Sequence, residues 1–201
     1  MAVVSWWGQS NKSYATDTQG VCTDLIMSQI LDAADGFENI KIAFHLEPYP
    51  SRSVESVRDD IKYIFSNYGN HSSLYRTASG LPLFYVYDSY HIFPNQWRRL
   101  LQPDGDLTIR GSNLDGVFIG LWLERIHGQE LHEGGFDGIY TYFATDGFSF
   151  GSTTSNWARM CEYCFSHDML CVLSVGPGYN DSSIRPWNLH NARDRRCDGV
   201  C

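Results

Sequence analysis

The sequence predicts an α/β fold of the (β/α) TIM-barrel kind, with six strands read in this chain. Three observations lead there. Five stretches share one layout, an apolar run of strand length that ends in carboxylates, aromatics, Gly or Pro: Ile40-Lys-Ile-Ala-Phe-His-Leu-Glu-Pro-Tyr49, Leu81-Pro-Leu-Phe-Tyr-Val-Tyr-Asp-Ser-Tyr90, Leu114-Asp-Gly-Val-Phe-Ile-Gly-Leu-Trp-Leu-Glu124, Phe136-Asp-Gly-Ile-Tyr-Thr-Tyr-Phe143 and Cys171-Val-Leu-Ser-Val-Gly-Pro-Gly-Tyr179. Near-continuous apolar runs describe strands buried on both faces, as in a parallel sheet covered by helices. Amphipathic segments of helix length alternate with these runs, which selects right-handed strand-helix-strand crossovers. Finally, the strand starts fall regularly, near residues 2, 40, 81, 114, 135 and 171, with no Pro/Gly/Ser-rich linker and no repeat between them.

Taken in order, Val3-Val4-Ser5-Trp6-Trp7 is the first strand. Residues 23–35 place Leu25, Ile26, Ile30 and Leu31 at helical spacing, and Val54 to Tyr68 does the same with Val57, Ile61, Ile64 and Phe65. Pro94 opens a short helix through Leu101, since its missing N–H costs nothing in a first turn. Residues 156–169 carry Trp157, Met160, Cys164 and Phe165 on one side. In a barrel of such units, polar and aromatic residues at the C-terminal strand ends form the active site.

Composition narrows the function. The 201 residues suit one domain but fall short of the ~250 of a closed eight-stranded barrel. A formal charge of -8, with basic residues clustered only at Arg193, Arg195 and Arg196, argues against nucleic acid and for a neutral or polar ligand. Aromatic content of 14% fits stacking on sugar faces as well as core packing. Cys161-x-x-Cys164 on a helix and Cys171 at a strand start read as small buried thiols. Cys197-x-x-x-Cys201 has no matched pair to make a zinc site, so neither metal nor cofactor is expected. Asn11, Asn70 and Asn180 head Asn-x-Ser sequons. No signal peptide is expected, because the residues after Met1 have no basic region and no long apolar run, and no apolar run approaches the ~20 residues of a membrane span.

Gly176-Pro-Gly178 is not a dinucleotide fingerprint, because Pro takes the variable position and no helix pattern follows. Glu130 and Glu133 share a helix face, but they precede a strand start and so belong to the rim away from chemistry. His45 near a strand end serves either a substrate hydroxyl or the core. Glu47, beside Pro48 at a strand's C-terminal end, has few structural duties and is read as functional. Asp88, Tyr179, Arg185 and Trp187 are candidates for orienting hydroxyls or stacking on rings, with an Arg185–Asp181 ion pair as the structural alternative.

Longer motifs are recognisable. Ala43-Phe-His-Leu-Glu-Pro-Tyr49, Phe84-Tyr-Val-Tyr-Asp-Ser-Tyr90, Asp115-Gly-Val-Phe-Ile119, Gly135-Phe-Asp-Gly-Ile-Tyr-Thr-Tyr-Phe-Ala144, Asp146-Gly-Phe-Ser-Phe-Gly151 and Ser174-Val-Gly-Pro-Gly-Tyr-Asn-Asp-Ser-Ser-Ile-Arg-Pro-Trp-Asn188 closely resemble glycoside hydrolase family 99, the endo-α-1,2-mannosidases. The resemblance runs from about Val3 to Arg195. It implies a (β/α)8 barrel that cleaves within α-1,2-linked glucosyl-mannose chains of N-glycans, represented in animals by a membrane-anchored enzyme of the Golgi lumen. It also implies that Glu47, Tyr87, Tyr90 and a tyrosine of the pair Tyr140 and Tyr142 line a mannose subsite.

The resemblance further implies a catalytic pair of glutamates in an Asn-Glu-Trp-His-Glu stretch on the last barrel strand. One would act as base on the sugar 2-hydroxyl to give a 1,2-anhydro intermediate with retention, and the other would protonate the leaving oxygen. That differs from direct carboxylate attack at the anomeric carbon. No such stretch occurs in these 201 residues, so the pair is expected beyond Cys201 and the chain alone is expected to be inactive. The family's first strand and anchor are expected to be missing too. Residues 1–195 are expected to form the partial barrel, and residues 196–201 a divergent tail. A non-catalytic glycan-binding or regulatory isoform, or an incompletely read gene, is the alternative.

Overall fold

A computed structural model of the chain describes residues 1–142 and 146–176, together with the backbone of 179–180 and 192–193. Six strands, β1 (Ala2–Trp6), β2 (Ile42–Leu46), β3 (Leu83–Val86), β4 (Val117–Leu121), β5 (Gly138–Tyr140) and β6 (Leu170–Val172), pair in parallel in chain order. Five helices alternate with them: α1 (Met27–Asp35), α2 (Val54–Tyr68), α3 (Pro94–Leu101), α4 (His127–Gly134) and α5 (Trp157–Ser166). A short antiparallel ladder of β7 (Tyr179–Asn180) and β8 (Ala192–Arg193) follows. β1 and β6 end the six-stranded sheet and do not pair with each other, so the described residues form an open part of a (β/α)8 barrel.

Side-chain alternation splits the core in two. Phe44, Phe84, Val86, Phe118 and Ile139 point outward to Leu31, Ile61, Ile64, Leu100 and Leu131 of the helices. Ala43, Leu83, Tyr85, Ile119, Leu121 and Tyr140 face the barrel interior. Register carries the inner set across the sheet, with Tyr85 opposite Ile119 and Leu121 opposite Tyr140, while outward Phe44 lies opposite outward Phe84. Gly120 lets α4 close on β4, because a Cβ there would meet the Leu131 side chain at 2.2 Å. α2 starts in a capping box, Ser53 accepting from the Ser56 N–H and Ser56 Oγ accepting from the Ser53 N–H. α4 ends at Gly135, whose φ of 87° is a left-handed cap that a Cβ disfavours.

Two polar hubs, one buried and one half-buried, tie these layers. Asp24 accepts from Trp6 Nε1, the Ser10 N–H, Tyr63 OH and Tyr68 OH, joining β1, its loop and α2. Burial alone would raise its pKa, but the four donors outweigh burial and hold it below the usual carboxylate value. At the N-terminal rim, Arg110 donates to Asp137 Oδ2 at 2.9 Å and to the carbonyls of Leu101, Gly116 and Gly135.

Several expectations need correction. Leu25 and Ile26 do not lie in the first helix but in a 3-10 turn over residues Thr23–Ile26, where they are 69% and 46% exposed; Met27, Leu31 and Ala34 make the buried face. Phe165 likewise faces solvent, at 68% exposure, while Met160 and Cys164 pack inward. Cys161 and Cys171 are not buried thiols, because they form a disulfide joining α5 to β6. Cys164 alone of that trio stays a buried thiol. The end strands are also not covered on both faces: Val3 is 43% and Leu170 52% exposed, and among the described residues each end strand lacks a neighbour on one side.

Candidate functional site

The C-terminal ends of β2, β3 and β5 converge because their inward positions fall in the same alternation. His45 and Glu47, Tyr85 and Tyr87, and Tyr140 and Tyr142 are each two residues apart, so each pair faces the barrel interior. Glu47 is only 7% exposed, and its backbone N–H donates to the Trp6 carbonyl of β1. Its Oε1 lies 2.6 Å from His45 Nδ1, while His45 Nε2 lies 2.8 Å from Tyr140 OH. One imidazole thus bridges a nearly buried carboxylate and a buried phenol across the sheet. A neutral ring can donate from only one nitrogen; a protonated ring donates from both.

Aromatic rings wall this chain of contacts. His45 lies 5.4 Å from Tyr87 and 6.5 Å from Tyr85, and Tyr87 meets Tyr142 at 5.9 Å. Burial raises the pKa of Tyr87 and Tyr140, and the nearby charge of Glu47 adds to it, so both phenols stay protonated at neutral pH and can donate hydrogen bonds. Tyr90 stacks on His127 at 4.8 Å and donates to Asp88 Oδ1 at 2.8 Å; burial first and that bond second push its pKa up to about 12.

Asp88 sits at φ 48° and ψ 41°, a left-handed conformation that an Asp tolerates better than most side chains. Arg52, on the loop after β2, holds this turn by donating from NH2 to the Asp88 carbonyl at 2.6 Å. Among the described residues, its Nε and Nη1 are buried without a partner. Burial lowers the Arg52 pKa against the attraction of Tyr49, Asp88 and Glu47. Beside it, Tyr49 stacks on Tyr14 at 4.5 Å and donates to the buried Asp60.

Of the residues singled out in the sequence, Glu47, Tyr87, Asp88, Tyr90, Tyr140 and Tyr142 are therefore gathered at one end of the sheet. Tyr179 enters only as backbone of β7, and Arg185 and Trp187 lie outside the described residues, as does Asp181. Two contributors were underweighted. His45 stands two residues before Glu47, a spacing that already puts both on one strand face. Arg52 gives no such signal, because a loop arginine has no periodicity to reveal its direction. Glu130 and Glu133 lie on α4, as expected, with Glu133 accepting from Gln129. No group of three metal-ligating side chains occurs among the described residues.

A buried carboxylate, a bridging imidazole and protonated phenols offer hydrogen bonds to a polyhydroxylated ligand, with ring faces for its C–H surfaces. Comparison with known proteins gives the same direction. The sequence model of glycosyl hydrolase family 99 matches residues 1–199. The chain is 47% identical over 185 residues to the glycoprotein endo-alpha-1,2-mannosidase of Rattus norvegicus, covering 90% of this chain and 40% of that protein. It is 45% identical over 197 residues to a glycoprotein endo-alpha-1,2-mannosidase-like protein of Homo sapiens, covering 96% of this chain and 42% of that protein. Among solved structures it is similar to the family 99 endo-alpha-mannosidase of Bacteroides thetaiotaomicron, with TM-score 0.83, 42% identity, and coverage of 96% of this chain and 54% of that one. The chain thus spans about two fifths of the length of these curated relatives.

Proposed function

Because the chain belongs to glycosyl hydrolase family 99, we propose that these residues form the substrate-holding part of an endo-α-1,2-mannosidase that cuts within α-1,2-linked glucosyl-mannose chains of N-glycans. The observation that carries the proposal is the contact chain Glu47–His45–Tyr140, walled by Tyr85, Tyr87 and Tyr142 at the strand ends where a (β/α) barrel does its chemistry. In this reading Glu47 accepts hydrogen bonds from mannose hydroxyls, Tyr87, Tyr90 and Tyr142 line the subsite, and Asp88 orients a further hydroxyl through the turn clamped by Arg52. Tyr179, Arg185 and Trp187 are assigned to the same ligand on their sequence motif alone.

Proton transfer belongs to the two glutamates of the family's Asn-Glu-Trp-His-Glu stretch, which is not among these residues. Glu47 cannot replace an acid and a base poised on either side of the scissile bond. The proposed reaction therefore proceeds with retention through a 1,2-anhydro sugar only when closing strands supply that pair, in the lumen of the Golgi. A second reading, a glycan-binding chain without turnover, rests on the same cluster of carboxylate, imidazole and phenols.

The test compares these residues alone with the same residues joined to the closing strands of a family relative, on a glucosyl-mannose substrate. Disaccharide release by the joined protein only is the expected result. Release by the 201 residues alone, lost in Glu47→Gln, would overturn the assignment. Saturable oligosaccharide binding by a joined protein that never turns over would favour the second reading.

A further inference from the structure

The Cys161–Cys171 disulfide carries information that the cysteine spacing did not. Forming it removes two protons and two electrons from two thiols, which an enzyme disulfide accepts in becoming a dithiol. Such bonds persist in oxidising compartments and are rare in the cytosol. In eukaryotic cells that compartment is the secretory lumen, where Asn-x-Ser/Thr sequons meet oligosaccharide donors.

Asn70, in Asn70-His71-Ser72, occupies the turn that follows α2 and is exposed. Its amide makes no hydrogen bond among the described residues. Asn67, one turn earlier and equally exposed, heads no sequon, and its amide donates to the Tyr63 carbonyl at 2.8 Å. The segment after Asn70 is rigidly placed, since Ile42 N–H donates to the Ser73 carbonyl and Tyr75 N–H to the Ile42 carbonyl. These bonds fix Asn70 near the N-terminal end of β2, opposite the rim that carries Glu47. Carbohydrate there would leave the strand-end site open, whereas Asn11 lies in the loop after β1, on the same rim as Glu47.

We infer that Asn70 is an N-glycan attachment site of a polypeptide that folds in the secretory lumen. In the transfer, the Asn70 amide nitrogen bonds to C1 of the reducing-end sugar of a polyprenyl-pyrophosphate-linked oligosaccharide. The C1–O bond to pyrophosphate breaks, and the polyprenyl pyrophosphate leaves with the displaced amide proton. This inference is independent of the glycosidase reading, because neither the disulfide nor Asn70 touches the strand-end cluster.

The polypeptide containing these residues, purified from the cells that express it naturally, tests the inference by tryptic digestion. Cleavage after Lys62 and Arg76 releases Tyr63–Arg76, with Asn70 in its only sequon. The expected result is a peptide carrying N-linked carbohydrate, released by N-glycosidase in heavy-oxygen water with the label left at position 70. The glycosidase-sensitive shift of that peptide should vanish in Asn70→Gln and in Ser72→Ala. An unmodified Tyr63–Arg76 peptide would overturn the site. Cleavage at Asp168 without reductant supplies a second measurement, since it separates Cys161 from Cys171. Fragments that remain linked through sulfur are expected, and free thiols at both positions would overturn the compartment.

Discussion

Glu47 is the residue on which the proposed function turns. Replacing it by Gln keeps its shape and removes the charge, which weakens charge-assisted contacts by about 1.5–3 kcal/mol. In a protein with the closing strands restored, kcat/KM should fall by roughly one to two powers of ten with the melting transition unchanged. Unaltered kcat/KM would assign Glu47 to structure alone, and lost melting cooperativity would assign it to the core. Asp24 is the contrasting case, a buried carboxylate with four donors and no place at the strand ends. Its folded pKa lies below the unfolded one, so its stabilisation is complete above the ordinary carboxylate range of about 4 and is lost as pH falls through the lower folded value. Asp24→Asn should cost about 3 kcal/mol, because its amide group cannot accept from all the donors that now converge there. Denaturant melts at neutral and acid pH check this: the gap between wild type and variant should narrow on acidification.

The elements follow from local rules that are visible in the chain. α2 runs over Val54–Tyr68, the bounds that its apolar spacing predicts, because the Ser53–Ser56 box starts it and Gly69 follows it. α3 starts at Pro94 as expected. α1 begins later than its spacing suggests, because Asp24 is drawn into the core by donors from distant segments and the backbone there turns as a 3-10 helix. The α5–β6 pair is the last helix-strand unit of the sheet and is stapled by Cys161–Cys171. Removing a constraint of this kind typically costs 2–4 kcal/mol. Reductant, or Cys161→Ser, should therefore lower the melting temperature and expose β6 amides to hydrogen exchange first; identical exchange of β6 in oxidised and reduced protein would count against the staple.

At the scale of the molecule, the open edges dominate. Among the described residues, β1 and β6 each present N–H and C=O groups with no pairing strand on one side, and exposed Val3 and Leu170 add apolar surface there. Such edges recruit other chains. Expressed alone, these residues should be marginally soluble and associate with rising concentration, whereas joining them to closing strands should yield a soluble monomer. Sedimentation of the two proteins decides the matter, and a soluble monomer with a cooperative melt from the isolated chain would refute it.

The sequence by itself determined the strand-helix alternation, the six strand positions, the family and the strand-end carboxylate, because periodicity, strand-end chemistry and long motifs are local properties of a chain. The placement of Glu47, Tyr87 and the pair Tyr140 and Tyr142 at strand ends was legible for that reason. Only the tertiary structure decided that His45 joins Glu47 to Tyr140, that Arg52 clamps the Asp88 turn, that Asp24 is a buried hub, and that Cys161 pairs with Cys171. Each of these is a contact between residues on different elements. Distance through space depends on how the sheet twists and the loops close, which no spacing along the chain records.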